Sequence, residues 1–309
     1  MKYLFGPVPS RRLGYSLGID LVPHKTCTFD CIYCEVGKTT NLTIKREDFN
    51  NAEGIIEETK KFLESYTGRV DYISFTGSGE PTLNIKLGYI AREIKKITKI
   101  PIALITNTAL FKYEDVRRDA MEFDIVLPSL DSVTEKSFRA VNRPHREIKL
   151  NEIIEGLVSF ANEYKGKIFL EILFVKGVND SDKDIMALRR FLEKIHFDKV
   201  QINTVIRPPA YSSAKPINEE DKKRIKKLLG DKVEVDIAFT SKSKQKTNAT
   251  KDDVKNLLKR RPCTYEQISS ALGISLEELK AIIKNLEKTN NIRVNKFGEE
   301  FYYSVKNDE

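Results

Sequence analysis

Three cysteines fall within eight residues, Cys27-Thr28-Phe29-Asp30-Cys31-Ile32-Tyr33-Cys34, and the 309-residue chain has one further cysteine, Cys263. Three thiolates on one loop can hold three corners of an iron–sulfur cube, and a cube held at all four corners needs a fourth ligand. An iron without a protein ligand is open to a substrate or cofactor, which is a catalytic opportunity. Zinc also takes clustered cysteines, but a structural zinc site closes with four ligands, for which Cys263 or His24 is available. A disulfide fits poorly, because three clustered cysteines cannot all pair and nothing in the chain suggests secretion.

The segments that must position this loop alternate in kind. Residues 16–22 place Leu17, Ile19 and Leu21 at strand spacing, stop at Pro23, and lead directly into the cysteine loop. Residues 47–64 carry apolar side chains at helical spacing. Further strands are expected at 71–75, 102–105, 124–127, 168–174 and 199–203. The helices expected after them are 85–96, 113–121, 134–140 with 147–164, 182–194 and 219–229. Such alternation argues for an α/β fold with parallel strands and right-handed crossovers. Six units fit a partial (βα)6 TIM-like barrel over residues 1–239, since a closed eight-unit barrel needs more chain than precedes the next boundary. That boundary, residues 240–250, is polar, basic and without apolar periodicity, as a linker is. Residues 251–309 then show helical patterns at 252–259, 264–272 and 275–288 and strand-like pieces at 292–296 and 300–305. This order resembles a small winged helix-turn-helix domain, with Ser275 and Glu278 forming a capping box.

In parallel α/β folds ligands sit outside the C-terminal ends of the strands, so the residues after each strand carry the interest. Thr76-Gly77-Ser78-Gly79-Glu80-Pro81-Thr82 is a tight turn where backbone can approach a ligand, with a carboxylate able to accept from an amine. Thr106-Asn107-Thr108, Pro128-Ser129-Leu130-Asp131-Ser132 and Asn142-Arg143-Pro144 are polar strand ends, whose Ser and Asp suit helix capping equally well. Val175 opens the segment to Asp180, and Gln201, Asn203 and Arg207 surround the last strand.

A net charge of +8 makes an anionic partner such as nucleic acid chemically reasonable without showing one. The charge is not gathered in the last segment, where residues 249–309 hold eleven basic and ten acidic side chains. In that segment Leu276, Leu279, Ile283 and Leu286 fall on one helix face, and Lys280, Lys284 and Lys288 on the other, a stripe that suits phosphates or simply water. Cys263 reads as a small buried residue. No run of eighteen apolar residues exists, so no membrane partner is expected, and the cysteine usage suits the cytoplasm.

The cysteine loop with Tyr33 before its last cysteine, followed one unit later by Gly77-Ser78-Gly79-Glu80, resembles the radical S-adenosylmethionine (SAM) enzymes over about residues 4–210. Ser78 stands where that family has the first glycine of its Gly-Gly-Glu segment. The entry Phe5-Gly6-Pro7-Val8-Pro9-Ser10-Arg11-Arg12-Leu13-Gly14 is similar to that of uncharacterised relatives of the wybutosine-type tRNA base synthases, without their flavodoxin-like region. The resemblance implies that Cys27, Cys31 and Cys34 hold a [4Fe–4S] cluster whose fourth iron binds the amine and carboxylate of SAM. It implies cofactor contacts from Tyr33, from Gly77, Ser78, Gly79 and Glu80 near the SAM amine, from Asn107, Ser129 and Asp131 near ribose or carboxylate, and from Val175 near adenine. The implied reaction is reductive cleavage of SAM to a 5′-deoxyadenosyl radical that takes hydrogen from a substrate such as an RNA base. The implied partners are an electron donor such as ferredoxin or flavodoxin and, through the last segment, tRNA or another nucleic acid. Two other readings stand beside it: an iron–sulfur redox sensor that regulates by binding nucleic acid, and a zinc-stabilised nucleic-acid-binding protein.

Overall fold

The computed structural model describes residues 1–10, 12–230, 233–235, 250–289 and 291–306. The expected linker at 240–250, apart from Thr250, and Arg11 of the entry segment lie outside the described residues. In chain order the first part comprises β1 (Leu4–Ser10), β2 (Gly14–Ile19), the short β3 (Thr26–Cys27) and β4 (Asn41–Leu42), α1 (Ala52–Ser65), β5 (Tyr72–Phe75) and α2 (Leu87–Ile97). It continues with β6 (Ile102–Thr106), α3 (Glu114–Ala120), β7 (Ile125–Pro128), α4 (Glu135–Asn142), α5 (Leu150–Glu163), β8 (Lys167–Phe174), α6 (Asp182–Leu192), β9 (Lys199–Thr204), α7 (Glu219–Leu229) and β10 (Val233–Val235).

The expected α/β alternation forms one eight-stranded sheet in the order β1-β2-β5-β6-β7-β8-β9-β10. From β2 to β10 every neighbouring pair is parallel. The six expected strand–helix units are all present, and β1 and β10 extend the sheet beyond them. The Pro- and Gly-rich entry, for which no strand was expected, forms β1, antiparallel to β2. Its Pro7 and Pro9 cannot donate to a ladder, which an edge strand tolerates and an inner strand does not. α1 starts at Ala52 rather than at residue 47 because the Asn51 side chain accepts from the Gly54 amide and caps it.

Side chains alternate across the strands, and both faces are buried. Ile73, Phe75, Leu104, Val126, Leu170 and Ile172 face helix residues such as Leu87, Ile94 and Leu157. On the opposite face Leu13, Ala103, Ile125, Leu127 and Phe169 form an inner cluster. Glu171, on that inner side of β8, is bonded by Arg12.

The last part holds α8 (Lys251–Arg260), α9 (Tyr265–Leu272), α10 (Leu276–Lys288) and an antiparallel hairpin of β11 (Ile292–Phe297) and β12 (Glu300–Val305). The capping box of Ser275 and Glu278 is present. Leu279, Ile283 and Leu286 are buried as expected, but Leu276 is 44% exposed, because it occupies the first turn and overshoots the core. Cys263 is fully buried. The helices share their core with the sheet: Phe5 and Val8 of β1 pack with Val254, Leu257, Leu258, Ile268 and Ile283. The Phe5 ring fills the space beside Gly18, where a Cβ would lie 2.1 Å from its Cζ. Gly18→Ala is therefore expected to push that ring out and to destabilise the protein by about 1–3 kcal/mol, as overpacking does. A lowered thermal midpoint and easier proteolysis within residues 251–306 would register it; an unchanged midpoint would refute this packing account.

Candidate metal and cofactor site

The predicted residues converge on one rim of the sheet. The cysteine loop follows β2, Gly77–Glu80 follows β5, Asn107 follows β6, Ser129 and Asp131 follow β7, and Val175 follows β8. Parallel strands make this inevitable, since all their C-terminal ends lie on the same side.

The three cysteines are half-buried. Amide N–H groups of Thr28 and Phe29 favour the charged form of Cys27, and those of Val36 and Gly37 do so for Cys34. Asn107 Nδ2 lies 3.6 Å from Cys27 Sγ, and Asn142 Nδ2 lies 3.4 Å from Cys31 Sγ. Donors directed at sulfur suit thiolates that bind metal. Without metal, loss of water raises all three thiols, and Cys27, with Glu80 adding to the effect, is pushed up to about 12. Among the described residues no three His, Cys, Asp or Glu side chains close on a single metal ion. A structural zinc requires such convergence, whereas each corner of a cube offers its own iron. Cys263 is in the core of the last segment and does not complete a set. The donor set therefore fits an iron–sulfur cube better than one ion.

Glu80 is 3% exposed, and its carboxylate is spent on the fold. Oε1 accepts from the Thr82 amide at 3.1 Å and from the Thr82 and Thr106 hydroxyls at 2.6 Å each, while Oε2 accepts from the Asn107 amide at 2.8 Å. The carboxylate expected to meet an amine thus joins the end of β5 to the end of β6. Gly79 permits the approach of the two loops: a Cβ there would lie 1.8 Å from the Thr26 carbonyl oxygen.

Asp131 is similarly engaged. Oδ2 accepts from Tyr33 Oη at 2.5 Å and Asn142 Nδ2 at 2.6 Å, and Oδ1 from the Leu173 amide at 2.9 Å. Burial raises the Asp131 carboxyl, while these three donors pull it back. Burial pushes the Tyr33 hydroxyl well up, so it remains the donor. Asp131 thus fixes Tyr33 and Asn142 around Cys31 instead of presenting a free acceptor. Neither Ser129 nor Asp131 caps the next helix, whose N-cap is Thr134. Phe29, Tyr33, Asn107, Ser129, Asp131 and Asn142 line a small pocket of ≈ 50 Å³ that opens to solvent.

Val175 is fully buried in a cluster with Ile32, Val141, Val205 and Ala214, against which Tyr33 and Phe297 of the hairpin pack. Arg207 donates to both carboxylate oxygens of Glu35, next to Cys34, at 2.8 and 2.9 Å. Gln201 is 3% exposed on the inner side of β9, and its Oε1 has no hydrogen-bond partner among the described residues; Asn203 is half-buried. Sequence reasoning missed Asp20, which accepts from the Ser78 amide at 3.1 Å. The available signal was a lone charge at the end of an otherwise apolar strand.

A family model for the radical SAM superfamily matches residues 21–189. A protein named GTPase Obg in Brachyspira hyodysenteriae is 36% identical over 94% of this chain, which spans only 43% of that protein. A UPF0026 protein of Methanocaldococcus jannaschii is 41% identical over 70% of this chain and 67% of its own length. A probable dual-specificity RNA methyltransferase of Aquifex aeolicus is 25% identical, covering 66% of this chain and 62% of that protein. Among solved structures, a radical SAM methyltransferase from Sphaerobacter thermophilus has a TM-score of 0.52 at 18% identity over 72% of this chain and 66% of that one. The protein anSMEcpe with bound AdoMet gives 0.51 at 16% identity, covering 69% and 58%. These two likenesses concern the fold.

Two outcomes test the site. Iodoacetamide should label Cys27 of metal-free protein at pH 8 at least about tenfold more slowly than a peptide thiol, because only the thiolate reacts; labelling at the peptide rate would contradict its burial. Gly79→Ala should force the turn away from Thr26 and lower bound iron after reconstitution, and full iron content would show that the close approach is dispensable.

Proposed function

The chain belongs to the radical SAM superfamily, enzymes that use a [4Fe–4S] cluster and S-adenosylmethionine, and on that premise we propose that it cleaves SAM reductively and removes hydrogen from an RNA base. The observation that carries the reading is the donor set. Three thiols on one loop receive N–H donors and find no converging fourth ligand among the described residues, beside a cavity at the strand ends.

When bound, the cluster supplies the electron that breaks the sulfonium S–C5′ bond. In our reading Cys27, Cys31 and Cys34 hold it, and Asn107 and Asn142 direct N–H groups at two of the sulfurs. Glu80 fixes the turn so that the backbone of Gly77, Ser78 and Gly79 faces the methionine amine. Tyr33, pinned by Asp131, walls the site, Ser129 offers its hydroxyl to the ribose or carboxylate, and the apolar cluster of Val175 borders the adenine. The buried side chains of the rim limit the water that reaches the reacting centre.

The substrate class is supported by the similarity to an RNA methyltransferase and by the net charge of +8. We place the chain near the wybutosine-type tRNA base synthases, with a partial barrel in residues 1–239, a linker at 240–250 and a winged-helix module at 251–309 that contacts tRNA. The lysines at 280, 284 and 288 are exposed, as such a role needs. A cytoplasmic ferredoxin or flavodoxin supplies the electron. Among the described residues no helix is long and apolar enough to cross a membrane.

Anaerobically reconstituted protein given dithionite and SAM should form 5′-deoxyadenosine, and Cys31→Ala should abolish it. A cluster-loaded protein that yields none would overturn the proposal. Mass spectrometry of RNA nucleosides from a strain lacking the gene should show one modified base missing; unchanged RNA would remove the substrate assignment alone.

A further inference from the structure

We propose that Arg260, on the helical module at the end of the chain, is a positioning residue for the segment assigned above to the SAM amine, acting through Asp20 on Ser78. The proposal rests on that assignment and extends it to a residue far outside the region matched by the family model, residues 21–189.

Asp20 lies just beyond β2, 7% exposed, beneath the turn that follows β5. The Ser78 amide donates to its Oδ1 at 3.1 Å, and the Ser78 hydroxyl donates to its Oδ2. Gly77 has φ +145°, and a Cβ there would lie 2.7 Å from the Asp20 carboxyl carbon, so the turn is moulded onto this carboxylate. A glycine at position 78 would keep the amide bond and lose the hydroxyl bond. The serine that departs from the Gly-Gly-Glu pattern therefore adds a second tie to Asp20.

A buried carboxylate is tolerated when it is paired or its oxygens are hydrogen-bonded, and Asp20 has both kinds of partner. Arg260 Nε lies 3.2 Å from Asp20 Oδ2, with both side chains 9% exposed. Burial raises the Asp20 carboxyl, and the Arg260 charge is the largest influence pulling it back. Arg260 is itself held: Nη1 donates to the Asn256 carbonyl at 3.0 Å, and the guanidinium lies 4.8 Å from the Phe5 ring centroid. Its neighbours Leu257 and Leu258 share a core with Phe5 and Val8. The turn thus takes its position from the seating of the module.

Hydrogen exchange of the Ser78 amide in cluster-free protein tests the tie without SAM. Arg260→Gln should speed it about tenfold, the scale of one charge-assisted hydrogen bond. The same change should weaken SAM binding, read from the cluster's electron paramagnetic resonance signal in reconstituted protein, by about tenfold. Arg260→Lys, which keeps the charge, should recover most of both effects. Ser78→Gly should weaken SAM binding in wild-type protein and add little in Arg260→Gln protein. Should Arg260→Gln not fold, Arg260→Met, which removes the charge and keeps an apolar stem beside Phe5, carries the same comparison with Ser78→Gly. Unchanged exchange at Ser78 in a folded Arg260 variant that lacks the charge, or fully additive effects of that variant and Ser78→Gly, would overturn the proposal. Failure of wild-type protein to bind SAM would instead strike the assigned function, while the Ser78 amide still decides the tie.

Discussion

The site depends on one buried carboxylate. Glu80 sits where water is excluded, and an ionised group there is tolerated only when its oxygens are saturated. Thr82, Thr106 and the Asn107 amide saturate it. In doing so they bring two strand ends into a fixed relation. Asn107 then reaches both Thr28 and Cys27 Sγ, so the cysteine loop inherits its position from the same hydrogen bonds. Gly79 lets the turn lie against Thr26.

Asp131 repeats this logic on the other side of the cysteines. Its three donors come from the cysteine loop, the end of α4 and β8. Arg207 with Glu35 adds a third clamp from the segment after β9. Each clamp joins segments distant in the chain, and each is partly or wholly withdrawn from water, where hydrogen bonds to charged groups are strong and costly to leave unmade. A loop with few apolar residues of its own is thereby held in one shape.

The acidic residues show where reading by motif reaches its end. Glu80 and Asp131 were expected as ligand contacts at strand ends, and both do follow strands, β5 and β7. Their direction is not encoded by position, since a carboxylate at a strand end can face the rim or the neighbouring strand. Here the donors on β6, β8 and the cysteine loop turn both inward. The first strand was missed for a related reason: its prolines argue against a strand until the neighbour on only one side is known. Leu276 kept its helical phase and still lies in solvent, because phase says nothing of where the core stops.

The sequence by itself determined the order of the six strand–helix units, the three-cysteine loop and the set of polar strand ends, because these follow from local periodicity and spacing. It also determined the helical character of the last segment. Only the tertiary structure decided which side chains meet: that Asn142 reaches Cys31, that Ser78 is tied to Asp20, and that Asp20 draws its counter-charge from Arg260, 240 residues away. Those pairings arise from the lateral order of the strands and from the docking of the last helices on β1. They are long-range contacts, and the spacing of residues along a chain carries no record of them.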